Sequence, residues 1–126
     1  MDITAISNEK AFRAKFVKNK AFEEVVRFAE KTSKMKDLDT ALNNLANANS
    51  GDILIIHGKT SNGIYSNFNM GKRSVQNLTN EAKTPEEASF IALLELGELE
   101  RKFRRLIGGN VKYTLKAEDM INKYGV

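Results

Sequence analysis

The stretch IIHGKTSNGIYSNF, residues 55–68, holds the residue types in this chain that most readily suggest chemistry. It contains the only histidine, His57, and two tripeptides that occur in enzyme signatures, Gly58-Lys59-Thr60 and Gly63-Ile64-Tyr65. A phosphate-binding loop ends in Gly-Lys-Thr, but it also needs a glycine five positions earlier, where this chain has Ile53. Because that glycine is missing, we interpret the first tripeptide as polar hairpin sequence.

The second tripeptide matches the first half of the GIY-YIG nuclease signature, but no Tyr-Ile-Gly or Tyr-Val-Gly follows it. Asn62 precedes it, and Asn-Gly is the strongest short signal for a hairpin, because both central positions of a type I′ turn need positive φ. An aliphatic run, residues 53–56, lies before this turn, and a second strand is predicted over residues 64–70. The sequence therefore predicts an antiparallel β-hairpin.

Strand alternation assigns the two faces of this hairpin. A pairing centred on Asn62 and Gly63 places His57 opposite Phe68, on the face that also carries Ile53, Ile55, Ile64 and Met70. We interpret His57 as a packing residue, since no serine–base–acid spacing surrounds it. The opposite face carries Leu54, Ile56, Tyr65, Asn67 and Asn69. Two alternatives stay open for that face: a covering helix, which the number of predicted helices favours, or contact with a partner or ligand.

The remaining elements follow from apolar spacing and capping signals. One helix is predicted over residues 8–31, which Lys18-Asn19-Lys20 can break or bend, and a second from Asp37 or Asp39 to Gly51. After a polar loop at residues 71–83, Thr84-Pro85-Glu86-Glu87 supplies an N-cap, an N1 proline and an N3 glutamate, and predicts a long helix to residue 107. A short strand at 111–115 and a helix at 117–124 follow.

The predicted fold is a single α+β domain, residues 1–126, of order ααββαβα. Residues 1–50 form its helical N-terminal part. Residues 51–126 supply the antiparallel hairpin and a short third strand, packed on the long central helix, and then the closing helix.

Composition narrows the function classes. The 126 residues fit one domain with a real core, since 41% are hydrophobic and 29% are charged. The absence of cysteine and the single histidine exclude thiolate chemistry and multi-histidine metal sites, and no cofactor is predicted. The N-terminus has no apolar signal-peptide core and no apolar run is long enough to cross a bilayer, so we predict a cytoplasmic protein without membrane contact.

Charge is unevenly distributed along the long helix. Its acidic residues are Glu86, Glu87, Glu95, Glu98 and Glu100. Because they come from one element, we interpret them as solvated helix charge rather than as a metal site. Arg101, Arg104 and Arg105 follow, in a chain of net charge +4, and arginine forks bind phosphates and carboxylates. Lys72 and Arg73 extend the same basic surface.

The predicted function is a small non-enzymatic binding module that engages an anionic target, such as nucleic acid, a nucleotide or a nucleoprotein assembly. The candidate ligand-binding residues are Arg101, Arg104, Arg105, Lys72, Arg73, Tyr65 and Asn67. The alternative is a protein-interaction or inhibitor protein, of the kind found among phage and mobile-element accessory proteins. It would bind a partner protein through the hairpin face or the first helix and self-associate as a homo-oligomer.

Overall fold

The computed structural model describes residues 14–49, 51–71, 73–79, 82–103 and 112–114. These residues form α1 (Lys20–Lys31), α2 (Met35–Ala48), β1 (Ile53–Thr60), β2 (Gly63–Met70), β3 (Arg73–Thr79), α3 (Pro85–Phe103) and β4 (Lys112–Thr114). The first three strands pair antiparallel in chain order, and β4 pairs in parallel with β3. The predicted α+β domain, with its hairpin and short added strand on a long helix, is confirmed. The helix predicted at 117–124 lies outside the described residues.

Strand β3 occupies most of the segment predicted as a polar loop, so the loop prediction is wrong over residues 73–79. Its buried side chains are those of Val75, Asn77 and Thr79, whereas Leu78 is 56% exposed. Two of the three buried positions are polar and the large apolar one points outward. This inversion removes the alternation of apolar and polar residues that marks a strand in sequence.

Helix α1 begins later than its apolar spacing predicts. Residues 14–18 are extended, and Phe16 forms a parallel bridge with Ile53 at the free edge of β1. Asn19 is the N-cap: its Oδ1 accepts from the backbone N–H of Phe22 at 2.9 Å, and its Nδ2 donates to the carbonyl of Ile55 at 3.0 Å. The predicted helix is therefore wrong over residues 14–18 and correct over Lys20–Lys31, and its first residues lie outside the described part.

The reversal between α1 and α2 depends on a left-handed serine. Ser33 has φ 59°, and its N–H and that of Lys34 donate to the carbonyls of Glu30 and Ala29. This is the Schellman arrangement that glycine ordinarily completes, so the sequence gives little warning of it. Helix α2 then begins at Met35, with no side-chain cap at its N-cap residue Lys34, and the predicted aspartate caps are wrong.

The hairpin has the predicted faces but another register. β1 and β2 are joined by Ser61 and Asn62, and His57 pairs with Ser66 instead of Phe68. Gly63 has φ 136° and Asn62 has no positive φ, so the predicted type I′ turn is wrong. A shift of two residues leaves every side chain on its own face. The predicted core residues Ile53, Ile55, Ile64, Phe68 and Met70 are therefore all buried.

Helix α3 begins at the predicted N-cap, Thr84, but Glu87 bonds to the preceding residue, Lys83, instead of completing the capping box at Thr84. Thr84 Oγ1 accepts from the N–H of Glu87 at 3.2 Å, and Glu87 Oε1 accepts from the N–H of Lys83 at 2.6 Å. Its first half fills the core, with Phe90, Ile91, Ala92, Leu93 and Leu96 all buried. The same capping role buries Glu87, and Glu100 is also fully buried, so the interpretation of the helix carboxylates as solvated is wrong for these two.

The helices pack on one face of the sheet, the face of Ile55 and Phe68. Gly97 permits a close approach of α3 to α2, since a Cβ there would lie 3.0 Å from the Cα of Ala41. Among the helices within the described ranges, none combines the length and the hydropathy that a bilayer span requires.

Candidate functional site

The sheet face turned away from the helices is the principal candidate surface, and we call it the outer face. Strand alternation places on it the residues Leu54, Ile56, Gly58, Thr60, Gly63, Tyr65, Asn67, Asn69, Ser74, Gln76 and Leu78. Ile56 is 40% exposed and Leu78 is 56% exposed. The favoured expectation that a helix covers Leu54 and Ile56 is therefore wrong for the helices that the structure describes.

Tyr65 lies near the centre of the outer face, on the middle strand β2. It pairs with Gly58 on one side and with Leu78 on the other. A Cβ at Gly58 would lie 2.5 Å from the Tyr65 hydroxyl and 2.9 Å from a ring carbon, so the ring crosses the space above the glycine. Gly58, which belongs to the apparent phosphate-loop tripeptide, is thus a strand residue that makes room for an aromatic ring.

Asn67 lies beside Tyr65 on the same strand. Its Oδ1 accepts from the backbone N–H of Asn77 in β3 at 3.3 Å. The contact draws the amide group across the face toward β3. Tyr65 and Asn67, both predicted as binding residues, are therefore brought together on one surface, half-buried and accessible.

A buried polar chain crosses the opposite side of the sheet. His57 Nε2 lies 2.7 Å from Glu24 Oε1 of α1, and His57 Nδ1 lies 2.7 Å from Ser89 Oγ of α3. Ser89 Oγ lies 2.7 Å from Ser66 Oγ of β2. Four side chains from four elements are thereby joined, and the His57 side chain is 4% exposed.

These residue types are those of a serine–histidine–acid triad, which the spacing in sequence did not indicate. A nucleophile must reach the substrate carbonyl, and Ser89 and Ser66 are both fully buried in the core. In the described part of the structure both hydroxyls are enclosed by the core. The four hydrogen-bonded side chains instead form a satisfied polar network, which fixes α1, the hairpin and α3 relative to one another.

Asn77 adds an unusual feature next to that network. It is 4% exposed and pairs across β2 and β3 with Ser66. Among the described residues, neither its Oδ1 nor its Nδ2 has a hydrogen-bond partner. A buried amide without partners is destabilising, because its desolvation is not offset. We find no ligand-binding geometry around it in the described residues.

The structure brings together few of the predicted basic residues. Arg101 is exposed, and its Nη2 donates to Glu98 Oε1 at 2.7 Å. Arg104, Arg105 and Lys72 lie outside the described residues. Arg73 is in β3, but its side chain also lies outside them. The basic surface predicted from sequence is therefore represented by Arg101 alone, and Arg101 has an acidic neighbour.

The described residues contain no group of three or more histidine, cysteine, aspartate or glutamate side chains arranged to hold a metal ion. In comparisons with known proteins, no family model, no curated protein and no solved structure matches the chain. Function must accordingly be argued from the surfaces themselves.

Proposed function

We propose that this chain is a non-enzymatic protein-interaction module of the cytoplasm whose outer face docks on a partner protein. The observation that carries the proposal is the placement of exposed apolar side chains. The described residues have three large apolar side chains that are exposed: Val17 at 38%, Ile56 at 40% and Leu78 at 56%. Ile56 and Leu78 lie on the outer face, and Val17 belongs to the segment that pairs with the edge of β1.

The lack of charge on the outer face supports a protein partner. None of its eleven positions on β1, β2 and β3 carries an aspartate, glutamate, lysine, arginine or histidine side chain, although 29% of the whole chain is charged. Depletion of charge, with aromatic and apolar residues at the centre, is typical of the core of protein interfaces. Phosphate recognition needs cations, so this face is a poor match for nucleic acid.

The size of the outer face limits the strength of the complex. Three strands about 4.8 Å apart, with a rise of about 3.3 Å per residue, give a patch of roughly 15 by 25 Å. A partner confined to that patch buries about 400 Å² on each side, half of what a stable interface ordinarily buries. We therefore expect a transient complex, or a stable one in which the partner also contacts Val17 and the surrounding surface.

An anionic target bound through the basic residues is the second candidate. Arg101 favours it, because its side chain is 54% exposed in the C-terminal half of α3. The two candidates differ in their dependence on salt: binding through arginine–phosphate contacts weakens steeply with salt, and binding through apolar contacts does not.

The test compares three proteins in quantitative mass spectrometry of what co-purifies from extract, with and without nuclease treatment. Ile56→Lys with Leu78→Lys disrupts the outer face, Thr40→Lys with Asn47→Lys adds the same charge to exposed positions of α2, and Arg101→Glu tests the second candidate. We expect one partner protein to co-purify in stoichiometric amount and to stay bound at high salt. The α2 variant should still bind this partner, and the outer-face variant should not.

Loss of the partner from Arg101→Glu, with the outer-face variant still binding, would reject the proposal in favour of the anionic target. Sedimentation of the pure protein identifies the case in which the partner is a second copy. Because all substituted positions are exposed or half-buried, urea unfolding should show changes of about 0.5 kcal/mol or less per site.

A further inference from the structure

A second surface lies on the helical side of the domain, where residues 14–18, the start of α1 and α2 enclose an open groove. We call it the α1–α2 groove. Its walls are Phe16, Phe22 and Leu42, and its floor is formed by Ala14 and Ala46. Its volume is about 600 Å³, within the range of sites that bind ligands. The three wall residues are half-buried, so they contact the core on one side and solvent on the other.

The groove is preformed by backbone hydrogen bonds. The N–H of Ala14 donates to the carbonyls of Ala46 and Asn49, each at 3.0 Å. The N–H of Ile53 donates to the carbonyl of Lys15 at 2.8 Å, and the N–H of Val17 donates back to Ile53 at 2.9 Å. The extended segment is thereby held between the end of α2 and the edge of β1. An occupant does not have to order this wall, which favours binding.

The charge of the groove indicates what it binds. Two exposed lysines, Lys15 and Lys18, belong to its lining, and none of the described residues that line it carries a carboxylate. The complementary occupant has apolar side chains for the walls and negative charge for the lysines. Small alanines on the floor leave depth for a branched or aromatic side chain. A single-stranded polynucleotide could stack bases on Phe16 and Phe22, but it offers no aliphatic group to fill the space beside Leu42 and the alanines.

We propose that the α1–α2 groove docks an acidic amphipathic peptide segment of a partner protein. Leucine or phenylalanine side chains of that segment lie between Phe16, Phe22 and Leu42, and its carboxylates reach Lys15 and Lys18. This mode is the insertion of an apolar peptide face into a groove, with flanking charge for specificity. The inference is independent of the outer face, which lies on the other side of the sheet.

The experiment titrates the full chain with a synthetic peptide that has leucines at i, i+3, i+4 and i+7 and glutamates elsewhere. Nitrogen-15 NMR should show shifts at Ala14, Phe22, Leu42 and Ala46. Lys15→Glu with Lys18→Glu should weaken binding about tenfold, since two attractive contacts become repulsive. The matched variant, Lys36→Glu with Lys59→Glu, changes net charge equally at exposed positions and should stay within about twofold of wild type.

Several outcomes would overturn the inference. Equal weakening in both variants would mean long-range charge attraction without a site. Equal binding of a peptide with lysine in place of glutamate would remove the electrostatic argument. Shifts confined to Ile56, Tyr65 and Leu78 would assign the peptide to the outer face, and preferential binding of a single-stranded oligonucleotide or of decanoate at the groove would reject a peptide occupant.

Discussion

Ser89→Ala tests whether the buried chain from Glu24 to Ser66 stabilises the fold. The Ser89 hydroxyl is fully buried and has two partners, His57 Nδ1 and Ser66 Oγ, each at 2.7 Å. Alanine removes one oxygen atom and little volume, so packing changes little. Its effect comes from the two partners, which lose their shared hydrogen-bonding group inside the core.

The expected magnitudes follow from counting those partners. A buried polar group left without a partner costs about 1–3 kcal/mol, so Ser89→Ala should lower the free energy of unfolding by about 3 kcal/mol. Ser66→Ala removes one hydrogen bond and leaves Ser89 bonded to His57, and should cost about 1 kcal/mol. The double variant should cost about 2 kcal/mol, less than Ser89→Ala alone, because the orphaned Ser66 hydroxyl is then absent. The two changes are thus non-additive by about 2 kcal/mol.

Urea unfolding of the four proteins measures this cycle, with Ser74→Ala on the outer face as a control expected to change stability by less than about 0.5 kcal/mol. Strict additivity would refute the proposed hydrogen bond between Ser66 and Ser89. A cost for Ser89→Ala as small as that of the control would refute the network as a whole.

Three further predictions concern stability and are measured in the same urea experiment. Thr84→Ala should cost about 1 kcal/mol, because it removes the N-cap of α3, and an unchanged midpoint would contradict that boundary. Gly97→Ala should be destabilising by about 1 kcal/mol or more, because overpacking against the Ala41 backbone exceeds the gain of about 1 kcal/mol in helix propensity. A stabilised variant would show that the two helices can separate. Asn77→Leu should stabilise by about 1 kcal/mol, since it removes a buried amide without partners, and a loss of stability would indicate that this amide is satisfied.

The sequence predicted those features that depend on neighbouring residues alone. The N-cap signal at Thr84 fixed the start of α3, and strand alternation assigned the hairpin faces. The register was wrong by two residues because the turn type depends on backbone φ, and Asn62 does not adopt the positive value that its Asn-Gly pair suggested. The faces were right nevertheless, because an even shift preserves alternation.

Features that depend on distant residues could not be predicted. Glu24 and Ser89 are 33 and 32 residues from His57 in sequence, and only the packing of two helices on one side of β1 brings them together. Five hairpin residues of the outer face, Leu54, Ile56, Tyr65, Asn67 and Asn69, were assigned to one face correctly, whereas its β3 residues fell in the predicted loop. The exposure of the outer face depends on where the helices pack, and no spacing within the hairpin encodes that choice.

The short contact between residues 15–19 and β1 has a consequence for aggregation. Ile53-Leu54-Ile55-Ile56 is an uncharged run of high β-propensity on an edge strand, the kind of segment that adds strands from other chains. The bridge to Phe16 and the Asn19 side chain occupy the edge groups of Ile53 and the carbonyl of Ile55. Farther along β1, its edge carries His57 and Lys59, and the positive charge of Lys59 opposes pairing with an identical strand. The segment that forms one wall of the α1–α2 groove therefore also shields this aliphatic run from intermolecular pairing.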